Sequence, residues 1–198
     1  MTTICLVRHG ETDWNAIGKL QGREDIPLNE RGRKQAELVG RFLESQKFKA
    51  VFTSPLLRAK QTAEIINRHI GNLPLFEDSD FIEKAYGEAS GMTIPERDRH
   101  FPDGKIPGME PIAHVRERVA RGLSSVSAHF PGHRVLLVAH GGLINVILAM
   151  LSGGAIGTGK TKLFNTCISH IETEGNDWKI IDYNQIEHLR TFGKVTSI

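Results

Sequence analysis

Short apolar, β-branched runs alternate with longer helical segments along this chain, and that alternation constrains the fold more than any other feature. Thr3–Val7 (TICLV) reads as a buried strand, Asn29–Lys47 as a helix, Ala50–Thr53 as a strand and Leu56–Ile70 as a helix stopped by Gly71. The first helix carries Ala36, Leu38, Val39, Phe42 and Leu43 as an apolar stripe, with Asn29 as its cap. Leu73–Phe76 reads as a short strand, and Thr93–Phe101 as a short helix whose Thr93 and Glu96 form a capping box. Glu110–Phe130 is a longer helix, Arg134–Ala139 (RVLLVA) a buried strand and Gly142–Leu151 a helix. Leu163–Glu172 and Trp178–Tyr183 read as two strands joined by a turn through Gly175-Asn176. Strands followed by helices build βαβ units. The predicted fold is therefore an α/β, three-layer α/β/α sandwich with a mostly parallel sheet, an antiparallel edge and a small cap insertion. The polar, Pro- and Gly-rich stretch at about 84–111 breaks the alternation and supplies that cap within a single domain spanning 1–198.

Composition narrows the function. Lys+Arg number 25 and Asp+Glu 23, so no basic excess marks a nucleic-acid partner. Two cysteines, Cys5 and Cys167, make neither a disulfide scaffold nor a four-cysteine zinc site. No apolar run is long enough to span a membrane, and MTTICLVRHG lacks the basic start of a signal peptide. A cytoplasmic protein with no membrane partner is the expectation. Oligomeric state stays open.

Ligands of open α/β sheets bind beyond the carboxyl ends of the strands. The residues released after each strand are therefore informative. TICLV releases Arg8-His9-Gly10-Glu11-Thr12, AVF releases Thr53-Ser54-Pro55 and then Arg58, and VLLVA releases His140-Gly141-Gly142. Two arginines and two histidines converge at one end of the sheet, which suits phosphoryl transfer. Arginines hold phosphate oxygens bidentately, and a neutral imidazole can attack phosphorus. Cations and backbone N–H groups then stabilise the charge that develops. The leaving oxygen needs a proton, and Glu83 at the start of the cap is the candidate donor, with burial expected to raise its pKa.

These residues carry a resemblance. The run Leu6-Val7-Arg8-His9-Gly10-Glu11-Thr12-Asp13-Trp14-Asn15 resembles the signature of the histidine phosphatase superfamily, also called the phosphoglycerate mutase-like family. Matching segments continue through Gln21-Gly22, Asp25–Asn29, Gln35-Ala36, Thr53–Leu56, Arg58-Ala59, Gln61–Glu64, Glu83, Tyr86-Gly87, Gly91, His140–Gly142 and Asp182–Asn184. The similarity is greatest to its bacterial broad-specificity phosphatase branch. It implies that His9 is the phosphorylated nucleophile, that Arg8, Arg58 and His140 complete the phosphate pocket, and that Glu83 is the proton donor. It further implies that Asn15, Gln21 and Gly22 form the loop beside the phosphate, that Gly141 is a backbone donor, and that Tyr86 faces the substrate. No metal or cofactor is implied, and the implied partner is a small phosphorylated substrate.

The chain departs from the family pattern at Pro107-Gly108-Met109-Glu110-Pro111, where Glu110 matches but Met109 and Pro111 do not. The cap is also shorter than the mutase insertion, which favours a phosphatase over a phosphoglycerate mutase. A phospho-ligand-binding protein with a dead site would lack the nucleophile, acid or arginines, and all are present. Arg97, Arg99 and His100 read as a solvated face of the cap helix, and the seven histidines other than His9 and His140 as surface or packing residues. Gly154–Thr161 satisfies the P-loop pattern, but a helix precedes it and a strand-like run comes after it, so it reads as a flexible connection.

Overall fold

A computed structural model describes residues 1–174 and 177–190. The expected turn at Gly175-Asn176 lies outside them. Six strands form one sheet: β1 (Thr3–Arg8), β2 (Ala50–Thr53), β3 (Leu75–Glu77), β4 (Arg134–Ala139), β5 (Ile168–Glu174) and β6 (Asp177–Gln185), in the order β3-β2-β4-β1-β5-β6. The pairs β1–β4, β2–β4 and β2–β3 are parallel, whereas β5 runs antiparallel to both β1 and β6. The α/β fold with its antiparallel edge is thus as expected.

The helices are α1 (Asp13–Ala16), α2 (Glu30–Leu43), α3 (Leu57–Ile70), α4 (Ile94–His100), α5 (Ile112–His129) and α6 (Gly141–Leu151). The period-two alternation of β1 sorts its side chains between two cores. Ile4 and Leu6 join the α5/α6 layer with Val119, Leu123 and Ile147, while Cys5 and Val7 join the α2/α3 layer with Val39, Leu43 and Ile66. Among the described residues no helix is long and apolar enough to cross a membrane.

Local chemistry accounts for the departures from expectation. The α2 core face runs through Gly32, Ala36, Val39 and Leu43, so Phe42 falls off it, stays 47% exposed and packs against His188. β3 starts two residues late because both backbone groups of Leu73 are held by the Asn67 side chain and Pro74 has no N–H to offer a ladder. Helix α5 starts at Ile112 rather than Glu110, directly after Pro111. Leu163–Cys167 does not join β5; Thr166 takes a left-handed φ of 56°, which ends the extended run. Helix α1 is a single turn, too short to show apolar periodicity, although Thr12 and Asn15 form its capping box. The Thr93–Glu96 box caps α4 as expected.

The cap is tied to the body by the loop after α1. Leu20 N–H donates to Met92 O and Gly91 N–H to Leu20 O, each at 2.8 Å. Glu110 anchors the cap's far end. Its carboxylate accepts two hydrogen bonds from Arg118 at 2.9 and 3.1 Å and one from Ala85 N–H at 3.2 Å, and it pairs with Arg23. Burial works against this charge, but the bonding and charge of Arg118 outweigh it and hold the carboxyl below its ordinary value. Gly154–Thr161 is folded rather than loose: Gly157 N–H donates to the Thr161 hydroxyl at 2.8 Å, Thr161 N–H to Gly157 O, and Thr158 N–H to Asn145 O.

Candidate active site

The parallel strands β1, β2 and β4 end side by side, so the residues just beyond them meet. Arg8 and His9 leave β1, Ser54 leaves β2, and His140 leaves β4 and caps α6. From the first turn of α3, Arg58 reaches the same place. A cavity of about 410 Å³ opens there, lined by Arg8, His9, Arg58, Glu83, Tyr86 and Gly141 and, around them, by Asn15, Gln21 and Gly22. Every site residue expected from the sequence lines it except His140, which lies fully buried beside His9 with ring centroids 5.3 Å apart.

Close backbone contact shapes the floor. A Cβ on Gly10 would sit 2.5 Å from Gly32 O, and one on Gly32 would collide with Glu11 O. Only glycines let the start of α2 press against the segment after His9. Glu11 N–H then donates to Gln35 at 2.9 Å, and Gly10 N–H to the Thr62 hydroxyl at 3.0 Å.

The His9 ring has a defined tautomer. Its Nδ1 lies 2.7 Å from Gly10 O, a group that only accepts, so Nδ1 carries the proton and Nε2 the lone pair. Burial, then Arg58 and Arg8, push the ring's pKa well below the ordinary imidazole value, and the bond to Gly10 only partly opposes them. The ring is therefore neutral at pH 7, with its nucleophilic nitrogen unprotonated. His140 is held neutral in the same way, by burial first and then by Arg58, His9 and Arg8. Its Nε2 lies 2.7 Å from Ser54 Oγ and, among the described residues, is the one acceptor within reach of that buried hydroxyl's proton. The Ser54 proton thus points to Nε2, and His140 Nδ1 becomes a buried donor without a protein partner.

The arginines are fixed by main-chain carbonyls rather than carboxylates. Arg8 donates to Leu163 O at 2.6 Å, and Arg58 to Glu24 O and Gly22 O at 2.7 Å each. Both keep a buried, unpartnered Nε. Burial lowers the pKa of Arg58 to about 10 against the pull of Glu83, and it remains charged at neutral pH. Cations held this way retain charge for an incoming anion.

Glu83 closes the site from the cap side. Its carboxylate accepts Gly142 N–H and Leu143 N–H at the start of α6 and Lys84 N–H, all at 2.9 Å. A side chain at Gly142 would meet Glu83 Oε1 at 2.7 Å and Tyr86 Oη at 2.9 Å, which places these two groups together over the helix end. Burial and the Glu83 charge push the Tyr86 phenol up, so it stays protonated. Asn15 Oδ1 accepts from Thr12 N–H and from Asn165 Nδ2, both at 3.2 Å, while Gln21 Oε1 accepts the Thr12 hydroxyl at 2.9 Å. Among the described residues their amide nitrogens find no protein acceptor, so they remain as donors in the wall.

Glu110, Arg99 and His100 do not line the cavity. Arg97 does, although its guanidinium is engaged by Asp98. Lys19 and Lys84 line it without having been singled out from the sequence, and Thr158 and Gly159 line it although the sequence marked them only as part of a flexible connection. Thr158 and Gly159 belong to the P-loop look-alike, which serves as a wall of this cavity. Lys19 and Lys84 carried no signal beyond their charge. Ser54 could have been found from its place after β2, in the stretch that resembles the family.

Residues 4–186 match the Histidine phosphatase superfamily (branch 1). The chain is 45% identical to "Uncharacterized phosphatase PhoE" of Bacillus subtilis over 98% of its length and 100% of that protein's. It is 31% identical to "Metal-independent phosphoserine phosphatase" of Arabidopsis thaliana, covering 98% of this chain and 85% of that one. Among solved structures it superposes on Bacillus stearothermophilus YhfR with a TM-score of 0.88 and 27% identity, over 96% of this chain and 100% of the other. With a match that runs from β1 into the turn after β6, and relatives that bear phosphatase names, the chain belongs to the histidine phosphatase superfamily.

Proposed function

We propose that the protein is a phosphomonoesterase that hydrolyses a small phosphorylated metabolite without a metal ion, through a phosphohistidine on His9. The observation that carries this reading is the neutral His9 ring with its lone pair on Nε2, set among two arginines. Nε2 attacks phosphorus and the P–O bond to the leaving group breaks. Glu83 acts as the general acid and gives a proton to the departing oxygen. Water then attacks the phosphoryl group, its proton passes to the Glu83 carboxylate, and the N–P bond breaks to return neutral His9. Arg8, Arg58, the His140 Nδ1–H and the amides of Asn15 and Gln21 stabilise the phosphoryl oxygens, and Gly141 N–H adds a main-chain donor at the α6 terminus.

The cavity is larger than one phosphate needs, and its outer part is both cationic and apolar. Lys19, Lys84 and Arg97 stand beside Ile94, Met109 and Ile112. A monoester whose organic part carries a second anionic group fits this mouth. The same surplus of cations favours a second reading, a 2,3-bisphosphoglycerate-dependent phosphoglycerate mutase, in which they would hold the primer's second phosphate.

The test is hydrolysis of an aryl phosphate in excess chelator, with an alkaline denaturing quench to trap the phosphoenzyme. Turnover and a base-stable, acid-labile phosphoenzyme are expected, and both vanish in His9→Ala. Activity lost to the chelator and restored by a divalent metal would overturn the mechanism. NMR of products from a phosphoglycerate separates the readings: free inorganic phosphate means phosphatase, and primer-dependent isomer means mutase.

A further inference from the structure

One structural unit near the site lies outside every segment from which the sequence suggested a site residue. The turn at Asn165-Thr166, just before β5, is almost wholly buried, with Asn165 at 1% and Thr166 at 0% exposure. Thr166 is β-branched yet holds a φ of 56°. That conformation is costly and persists only where surrounding contacts enforce it.

Those contacts converge on the main chain of Arg8 and His9. Thr166 N–H donates to Arg8 O at 3.0 Å and His9 O at 3.3 Å. Arg8 N–H returns a bond to Cys167 O, and the Arg8 guanidinium donates to Leu163 O at 2.6 Å. The Asn165 amide nitrogen donates twice, to His9 O at 3.1 Å and to Asn15 Oδ1 at 3.2 Å. Both partners are acceptors, because Asn15 Oδ1 also receives Thr12 N–H, so the Asn165 nitrogen must face them. From behind, the Thr166 hydroxyl lies 3.3 Å from Nε2 of the buried His188.

We propose that Asn165 is a positioning residue: its one amide group ties the His9 main chain to Asn15 and so sets the distance between the attacking nitrogen and a donor to the phosphoryl oxygens. This rests on the reading of His9 as nucleophile. In-line attack tolerates little misplacement, whereas binding of a ground-state anion by the arginines tolerates more. Asn165 therefore acts on the transition state more than on the bound substrate. The Thr166 side chain is secondary, since its contribution comes through the backbone N–H.

The experiment compares wild type, Asn165→Asp, Asn165→Ala and Thr166→Gly in the full chain. Asn165→Asp fills the same space but sets an acceptor against two oxygens. For the two Asn165 variants, kcat on an aryl phosphate falls roughly 30-fold while KM changes by no more than about twofold. Inhibition by orthovanadate, which mimics the five-coordinate transition state, weakens by about the same factor as kcat/KM falls. Inhibition by inorganic phosphate stays within about twofold. Thr166→Gly keeps the N–H and relieves the left-handed φ, so its kcat stays within about threefold.

Wild-type activity in Asn165→Asp overturns the proposal, and so does a loss confined to KM or an equal weakening of vanadate and phosphate. If both Asn165 variants fail to unfold cooperatively, the turn is a folding element and the proposal falls. If Thr166→Gly is as damaged as Asn165→Ala, the amide is not the acting group. The trapped phosphoenzyme of wild type is measured alongside. Its absence sinks the reading of His9 itself, whereas its presence with an intact Asn165→Asp rate sinks only the positioning role.

Discussion

Two histidines share one sheet end and the same Nδ1–H tautomer, yet each offers a different nitrogen to the site. His9 presents an unprotonated Nε2, and His140 a protonated Nδ1 backed by Ser54. Because burial and the arginines hold the His9 pKa well below the ordinary value, the ring stays a base into mild acid. The acid limb of kcat/KM, once the substrate's own ionisation is accounted for, should therefore lie below about 6.5. A limb above that value assigned to His9 would contradict the geometry. Ser54→Ala should free the His140 tautomer and lower kcat about 10- to 100-fold, with little change in Tm. His188 makes a separate prediction, about stability. Burial lowers its pKa to about 4, so between about 6.5 and 4 the unfolded chain binds a proton that the folded chain does not. Stability accordingly rises with pH across that window, and the penalty at the acid end is of order 3 kcal/mol. His188→Gln should flatten this part of a denaturant-midpoint profile against pH.

At the scale of elements, the site depends on how helices and turns abut strand ends. Replacing Gly32 by Ala pushes a methyl into Glu11 O, and backbone leaves no easy escape. Loss of about 2 kcal/mol or more in denaturant titration is expected, together with reduced kcat, because the segment after His9 must shift. The Arg118–Glu110 pair fixes the cap. Arg118→Ala leaves a largely buried carboxylate with fewer partners and should destabilise by roughly 3 kcal/mol. Glu110→Gln should cost less and leave kcat nearly unchanged, since Glu110 does not line the cavity. Apolar periodicity made the strands and long helices legible, and strand-end chemistry marked where a site would lie. Arg58 needed the family resemblance, because a helix-face arginine has many fates. Asn165 was illegible for a physical reason. Its role depends on a left-handed Thr166 inside a run that reads as extended, and no local propensity announces that. Phe42 misled because helical spacing marks a stripe wider than the face that small Gly32 and Gly40 actually present.

On the scale of the whole molecule, near-neutral charge conceals a strongly polarised surface. The formal net charge is +2, yet the cavity gathers Arg8, Arg58, Lys19, Lys84 and Arg97 around one carboxylate, Glu83. Capture of a dianionic ester should therefore be sensitive to ionic strength in a way net charge would not suggest. Raising salt from about 0.05 to 0.5 M should lower kcat/KM several-fold while kcat changes little, as the half-buried cations at the mouth are screened more than the buried arginines. A flat response would mean that the mouth cations are already neutralised by their neighbours. The sheet order carries a different consequence. The strand that delivers Arg8 and His9 is made before either of its sheet neighbours, β4 on one side and β5 on the other. On a ribosome the catalytic motif emerges early and idles. Until the segment around Asn165 has left the exit tunnel and docked, the nascent chain has no finished pocket, so the first hydrolytic turnover would report the completion of the sheet.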